Sequence, residues 1–280
     1  MVEPGQLRPA DQIASELARL GRSGASGAVE IEGQPSGIVY LRHGRLAFAE
    51  SPAVPDLGTR LIRSRRLPPG VWDQIARDHH PDGAVGAALV GRALITRAEL
   101  QRLLRSIMFD SLLALTAPFA GECSVTGIWL APQRSHWAQT VLAMDVASAR
   151  RYLEHMTQQL AWYDVTPRWR PQWSAVSHPE ALMNSGQRAI ASLIDGRTTV
   201  GDLAWRGGLS LHETMESVGQ LVHAGTCTLP APHAVPEPPA RARLPRRAEL
   251  TEARATPRVR ATPLELGLLQ RVRQGLERMA

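Results

Sequence analysis

Lysine is missing from this chain altogether: all 32 basic residues of its 280 are arginine. That bias is expected of a GC-rich bacterial genome, such as an actinobacterium's, and it raises the isoelectric point to near 10.4 without any phosphate-bearing partner. Aromatic residues are scarce, at 5%, so the core must rest on Leu, Ile, Val and Ala. No apolar run approaches the roughly 20 residues of a membrane-spanning helix. The opening Met1-Val2-Glu3-Pro4-Gly5-Gln6 lacks the basic-then-apolar order of a secretory signal. A cytoplasmic protein with no membrane partner is expected. Cysteine is limited to Cys123 and Cys227, far apart and read as two reduced, buried thiols, with one disulfide as the alternative. With no CxxC pair and no Cys/His cluster, a structural zinc site is unsupported. GxSxG, Walker-type and GxGxxG motifs are missing as well, so the chain reads as a non-enzyme with no cofactor.

The formal charge of +6 is unevenly placed. Residues 231–280 carry ten Arg against five Glu, a net of +5, and the other 230 residues carry 22 Arg against 21 acids. The body is therefore nearly neutral, and the high isoelectric point belongs to the tail. Residues 231–261 are rich in Pro, Ala, Arg and Glu without aliphatic periodicity, which predicts a disordered linker. Thr262-Pro263-Leu264-Glu265 is a capping box with Pro at the first helical position, opening an amphipathic helix over 262–279. Arg246, Arg247, Leu268, Val272 and Leu276 are the tail's candidate contacts, the helix docking either on the chain's own body or in a partner groove.

Periodicity outlines an α+β protein: a small antiparallel sheet with helical hairpins, then a mostly helical winged-helix-like module and a disordered tail. Ile13, Leu17 and Leu20 predict a helix over 10–20. Strands 27–32, 37–42 and 45–50 follow, separated by Gly33-Gln34-Pro35-Ser36 and by His43-Gly44. Leu57-Gly58-x-x-Leu61-Ile62 then recurs 28 residues later as Val85-Gly86-x-x-Leu89-Val90. In register with it, Leu67 matches Ile95, Trp72 matches Leu100 and Ile75 matches Leu103. Two copies of one helical hairpin are implied. The Thr96-x-x-Glu99 capping box opens the longest helix, to about Leu115. Residues 119–129 have strand-like composition, 141–162 read as a second long helix, and 166–173 as a linker crossing the surface. A new module is announced by the capping box Ser177-His178-Pro179-Glu180. Helices near 185–194, 199–206 and 210–223 and a single strand over 225–229 give a winged-helix order.

Two resemblances attach to these segments. Leu20-Gly21-Arg22-Ser23-Gly24, Gly27-Ala28-Val29-Glu30-Ile31, the run from Gly37 to Ala49 and Leu57-Gly58-x-x-Leu61-Ile62 make residues 8–165 resemble the PATAN domain family of bacterial signalling proteins. That resemblance implies a glycine-punctuated sheet followed by helical hairpins, no catalytic residue, and a place beside receiver or small-GTPase signalling components. Residues 177–230 are similar, at Ile194-Asp195-Gly196-Arg197-Thr198-Thr199-Val200-x-Asp202-Leu203, to winged-helix segments of actinobacterial proteins commonly labelled transcriptional regulators.

A DNA-reading helix offers Arg, Lys, Asn or Gln to base edges, with basic neighbours for the phosphates. The helix at 210–223 instead offers His212, Glu213, Glu216 and Gln220, with Arg206 nearby, and residues 184–230 carry three Arg against four acids. This supply favours a protein partner over nucleic acid. The expected function is a non-enzymatic regulatory adaptor acting through protein contacts. The alternative is a DNA-binding transcriptional regulator using the winged-helix-like module, with the Arg-rich tail adding non-specific affinity. His79-His80-Pro81-Asp82 reads as a helix end and turn, because neighbours on a helix point about 100° apart. Glu154 and His155 read as a solvated face. Trp129, Trp137, Trp162, Trp169 and Trp173 read as a seal between modules, with a ligand cage as the alternative.

Overall fold

The computed structural model describes residues 8–79, 84–116, 124–174 and 183–229. Helix α1 (Pro9–Arg22) buries the stripe Ile13, Leu17 and Leu20. Three strands follow, β1 (Gly27–Gln34), β2 (Gly37–Arg42) and β3 (Arg45–Glu50). The β2–β3 turn puts both His43 and Gly44 at positive φ, 51° and 72°, the geometry that matches the twist of a two-residue hairpin. Glycine is required there for a second reason, since a Cβ on Gly44 would lie 2.3 Å from the Gly21 carbonyl oxygen at the end of α1.

The predicted meander is the centre of a larger sheet. Strand β4 (Ser124–Ala131) pairs antiparallel with β1, and the two-residue β5 (Met144–Asp145) with β3, giving the order β4-β1-β2-β3-β5. The described residues hold nine α-helices with this five-stranded sheet, an α+β fold.

The internal repeat is visible down to single hydrogen bonds. Its first copy is α2 (Leu57–Arg63) and α3 (Pro69–His79); its second is α4 (Val85–Gly91) and α5 (Arg97–Thr116). Helix α2 ends with Arg66 N–H donating to the Leu61 carbonyl and Arg65 N–H to that of Ile62. Helix α4 ends with Leu94 donating to Leu89 and Ala93 to Val90. This is the paired bond pattern of a left-handed helix stop. Glycine usually occupies the left-handed position, but here it is Arg65 (φ 58°) and Ala93 (φ 54°). Beyond each stop a matched aliphatic, Leu67 or Ile95, enters the core.

Helix α5 crosses the sheet at β3 and also touches α1, α2, α4, α6 and α9, which makes it the central strut. The second long helix is shorter than its predicted span. Helix α6 (Val146–Ala161) starts where the Asp145 side chain accepts from Ser148 N–H, and residues 141–145 instead leave a 3₁₀ turn (Trp137–Thr140) to reach β5. Pairing of Met144 with Leu46 holds that stretch extended, so Leu142 is buried outside the helix. The supposed surface linker at 166–173 is also built into the body. Its end forms β6 (Gln172–Trp173), paired with β7 (Cys227–Thr228), and the carbonyls of Pro167 and Trp169 accept from Gly201 and Val200 N–H. Strand β7 is thus not a lone strand; its Cys227 thiol is pushed up to about 11 by burial.

The remaining helices are α7 (Ser185–Ala191), α8 (Val200–Gly207) and α9 (Leu211–His223). Asn184 and Gln187 cap α7 reciprocally, Thr199 caps α8, and Gly208 (φ 62°) stops it in the left-handed conformation. Between α7 and α8, Asp195 accepts from Thr198 Oγ1, the N–H groups of Thr198 and Arg197, and Arg206. Those bonds, Thr198 foremost, hold its carboxyl well below the usual range. The described residues form a single compact unit, with one apolar core from Ile13 to Cys227. Among the described residues no helix is long and apolar enough to cross a membrane. The linker 231–261 with Arg246 and Arg247, the helix 262–279 with Leu268, Val272 and Leu276, the Ser177 box, and Cys123 lie outside the described residues.

Candidate functional site

The helix singled out by sequence, α9, is one of the most enclosed in the protein. It packs against α5, α6, α7, α8 and β7, and Leu211, Thr214, Met215, Val218, Gly219 and Leu221 are buried. Gly219 sits flush on the Tyr163 ring, where a Cβ would come within 2.3 Å of Cγ. Full burial of an aliphatic side chain stabilises by about 1.5–3 kcal/mol, so Met215, Val218 and Leu221 together tie α9 firmly to the body.

Its first turn is held by a carboxylate from the other half of the chain. Asp110, in the middle of α5 and 1% exposed, accepts from Arg60 Nη2 at 2.5 Å, Ser210 Oγ at 3.0 Å, Leu211 N–H at 2.9 Å and His212 N–H at 3.0 Å. Four donors use the whole acceptor capacity of a carboxylate. Arg60, 4% exposed, also donates from Nε to the Pro55 carbonyl and from Nη1 to Ser106 Oγ. A buried ion pair therefore bolts α2, α5 and α9 together. The negative end of that pair meets the positive end of the α9 dipole, in the position where an exposed helix would receive a phosphate.

The sequence-chosen residues are not brought together. His212 is half-buried, and its Nε2 has no hydrogen-bond partner among the described residues. Glu213 is exposed; its N–H reaches Ser210 Oγ. Glu216 and Gln220 are half-buried and bonded to each other, and Gln220 also meets Gln187 of α7. Arg206 is exposed and paired with Asp195 at 3.2 Å. His79 lies 3.5 Å from Arg92, and the other members of its run lie outside the described residues. Glu154 pairs with Arg150 at 2.8 Å on an exposed face beside His155. Among the described residues no three His, Cys, Asp or Glu side chains group as metal ligands.

The tryptophans do not act as one seal. Trp162 is 88% exposed, while Trp169 and Trp173 pack partly buried on the core. Trp129 and Trp137, with Trp72 and Trp205, wall a cleft of about 550 Å³ that sequence reading missed. Its other feature is acidity, from Glu30, Glu32, Glu50 and Asp56. Glu30 accepts from Trp129 Nε1 at 3.0 Å and from Arg134 at 2.6 Å. Glu50 accepts from Tyr40 OH at 2.7 Å, and burial, reinforced by that carboxylate, pushes the Tyr40 phenol up. His136 stacks on Phe48 at 4.8 Å. A second groove, about 670 Å³, runs between α1 and α6 over Ala14, Ala18 and Leu153.

No protein-family model, no curated protein and no solved structure matches this chain.

Proposed function

We propose that this chain is a non-enzymatic regulatory adaptor of the PATAN-like type, acting in the cytoplasm through protein contacts. The observation that carries this reading is the seating of α9. The groove-entering part of a helix-turn-helix motif is the first turn of its second helix, and in α9 that turn donates Leu211 and His212 N–H groups to Asp110. A duplex would have to displace a buried, four-donor carboxylate to reach it. Exposed Glu213 at the same end would repel phosphate. The glycine-turned meander β1–β3 and the paired hairpins α2–α5 agree with the PATAN resemblance of residues 8–165.

The competing reading, a DNA-binding regulator, is tested by fluorescence anisotropy with duplex DNA from the chain's own promoter region, using the full chain and a chain ending at 232. At physiological salt the shorter chain is expected not to bind. Any binding by the full chain should be indifferent to sequence and fall steeply with salt, as Arg–phosphate contacts do. Sequence-selective binding by the shorter chain, lost in Gln220→Ala, would overturn the adaptor reading. So would a native lysate in which full-length bait enriches no specific protein.

A further inference from the structure

We propose that the cleft walled by β1, the β3–α2 connection, α3, α5 and α8 binds an organic cation, a guanidinium or alkylammonium group carried on an apolar stem. Charge argues first. Four carboxylates line the cleft and, among the described residues, no arginine does. Arg134 engages Glu30 without itself lining the cleft. Glu32 is exposed and has no partner among the described residues. Glu50 uses one oxygen for Tyr40, and the other lies within ion-pair range of His136 Nε2 at 3.9 Å. Glu32 therefore remains the open acceptor for a donor from outside.

The walls argue second, because tryptophan faces attract cations and accept the methylenes beside them. Three of the four rings rest on glycine. A Cβ would lie 2.3 Å from the Trp72 ring at Gly58, 3.0 Å from Trp137 at Gly86 and 2.7 Å from Trp129 at Gly127. Gly58 and Gly86 are equivalent positions of the internal repeat, so each copy of the hairpin supplies a seat for one wall. Trp129 stays 41% exposed, an accessible aromatic surface at the cleft.

The third observation is independent of both. Ser111 lines the cleft from α5, is 0% exposed, and its Oγ has no hydrogen-bond partner among the described residues. A buried hydroxyl without a partner is costly, and an N–H donor entering the cleft would satisfy it. Acid, aromatic faces and a buried acceptor together describe a guanidinium or ammonium site better than an anion or a neutral apolar ligand.

This proposal deepens the adaptor reading, and rests on it only for the source of the cation. Full-length protein is titrated with arginine amide, with an acetylated Gly-Arg-Gly amide peptide, and with glutamate amide as control, followed by tryptophan fluorescence and calorimetry. Both cations are expected to bind saturably and glutamate amide not at all. Glu32→Gln and Trp129→Leu, each on an exposed side chain, should weaken binding about tenfold or more with far-UV dichroism and the thermal midpoint unchanged. Tighter binding of the peptide assigns a partner's arginine; equal binding assigns a small free cation. No saturable signal up to about 10 mM, equal binding of glutamate amide, or affinities untouched by both variants would overturn the proposal. Such a failure beside a partner recovered from lysate removes the cleft and leaves the adaptor reading standing; the converse pair of results separates them the other way.

Discussion

Asp110→Ala is expected to destabilise the protein by about 3–5 kcal/mol, the cost of stranding one member of a buried ion pair. The loss has two parts. Arg60, 4% exposed, keeps its charge without a counterion, and Leu211 and His212 N–H lose the acceptor that closes the first turn of α9. Asp110→Asn should recover only part, since an amide supplies one acceptor oxygen where the carboxylate has two. Arg60→Met combined with Asp110→Ala should be less destabilised than the sum of the singles, because no unpaired charge remains. Urea melts of the four proteins give the coupling energy. Additive losses would mean the pair is no bolt at all.

The second large effect concerns how the chain can be cut. A chain ending at 165, the boundary suggested by the PATAN resemblance, is expected not to reach the native state, while one ending at 232 folds. The shorter chain would lose α9 from its seat on α5 and α6, and would leave Asp110 with one of its four donors. Tyr163, which Gly219 covers, would be uncovered too. Broad, poorly dispersed amide spectra from the 165-residue chain would meet the expectation. A cooperative melt from that chain would mean two independent domains.

Local chemistry was readable and remote pairing was not. Ile13, Leu17 and Leu20 announced α1, and His43-Gly44 announced the β2–β3 turn, because periodicity and turn chemistry are written within a few residues. The repeat was equally plain, and its hydrogen-bonded stops follow from it. Strands β5, β6 and β7 are two residues long, too short to show alternation, so residues 141–145 looked like helix and 166–173 like linker. The bolt left a faint trace: Asp110 interrupts the apolar run of α5, and Arg60 stands where the repeat has Ala88. Nothing local says that these two meet each other and the start of α9. The cleft was hidden for the same reason, since Trp72, Trp129, Trp137 and Trp205 come from four separate segments that meet only in the folded chain.

The central claim is that α9 is an internal strut of one folded body and not a helix held out for a partner. Native-state hydrogen exchange of the chain ending at 232 tests it most directly. The amides of Leu211 and His212 and the buried turns of α9 should exchange only by the same global opening as those of α5, with one free energy and one denaturant slope. Exchange of α9 through a separate opening of lower energy, with α5 still protected, would contradict the account and return that helix to the candidates for nucleic-acid recognition.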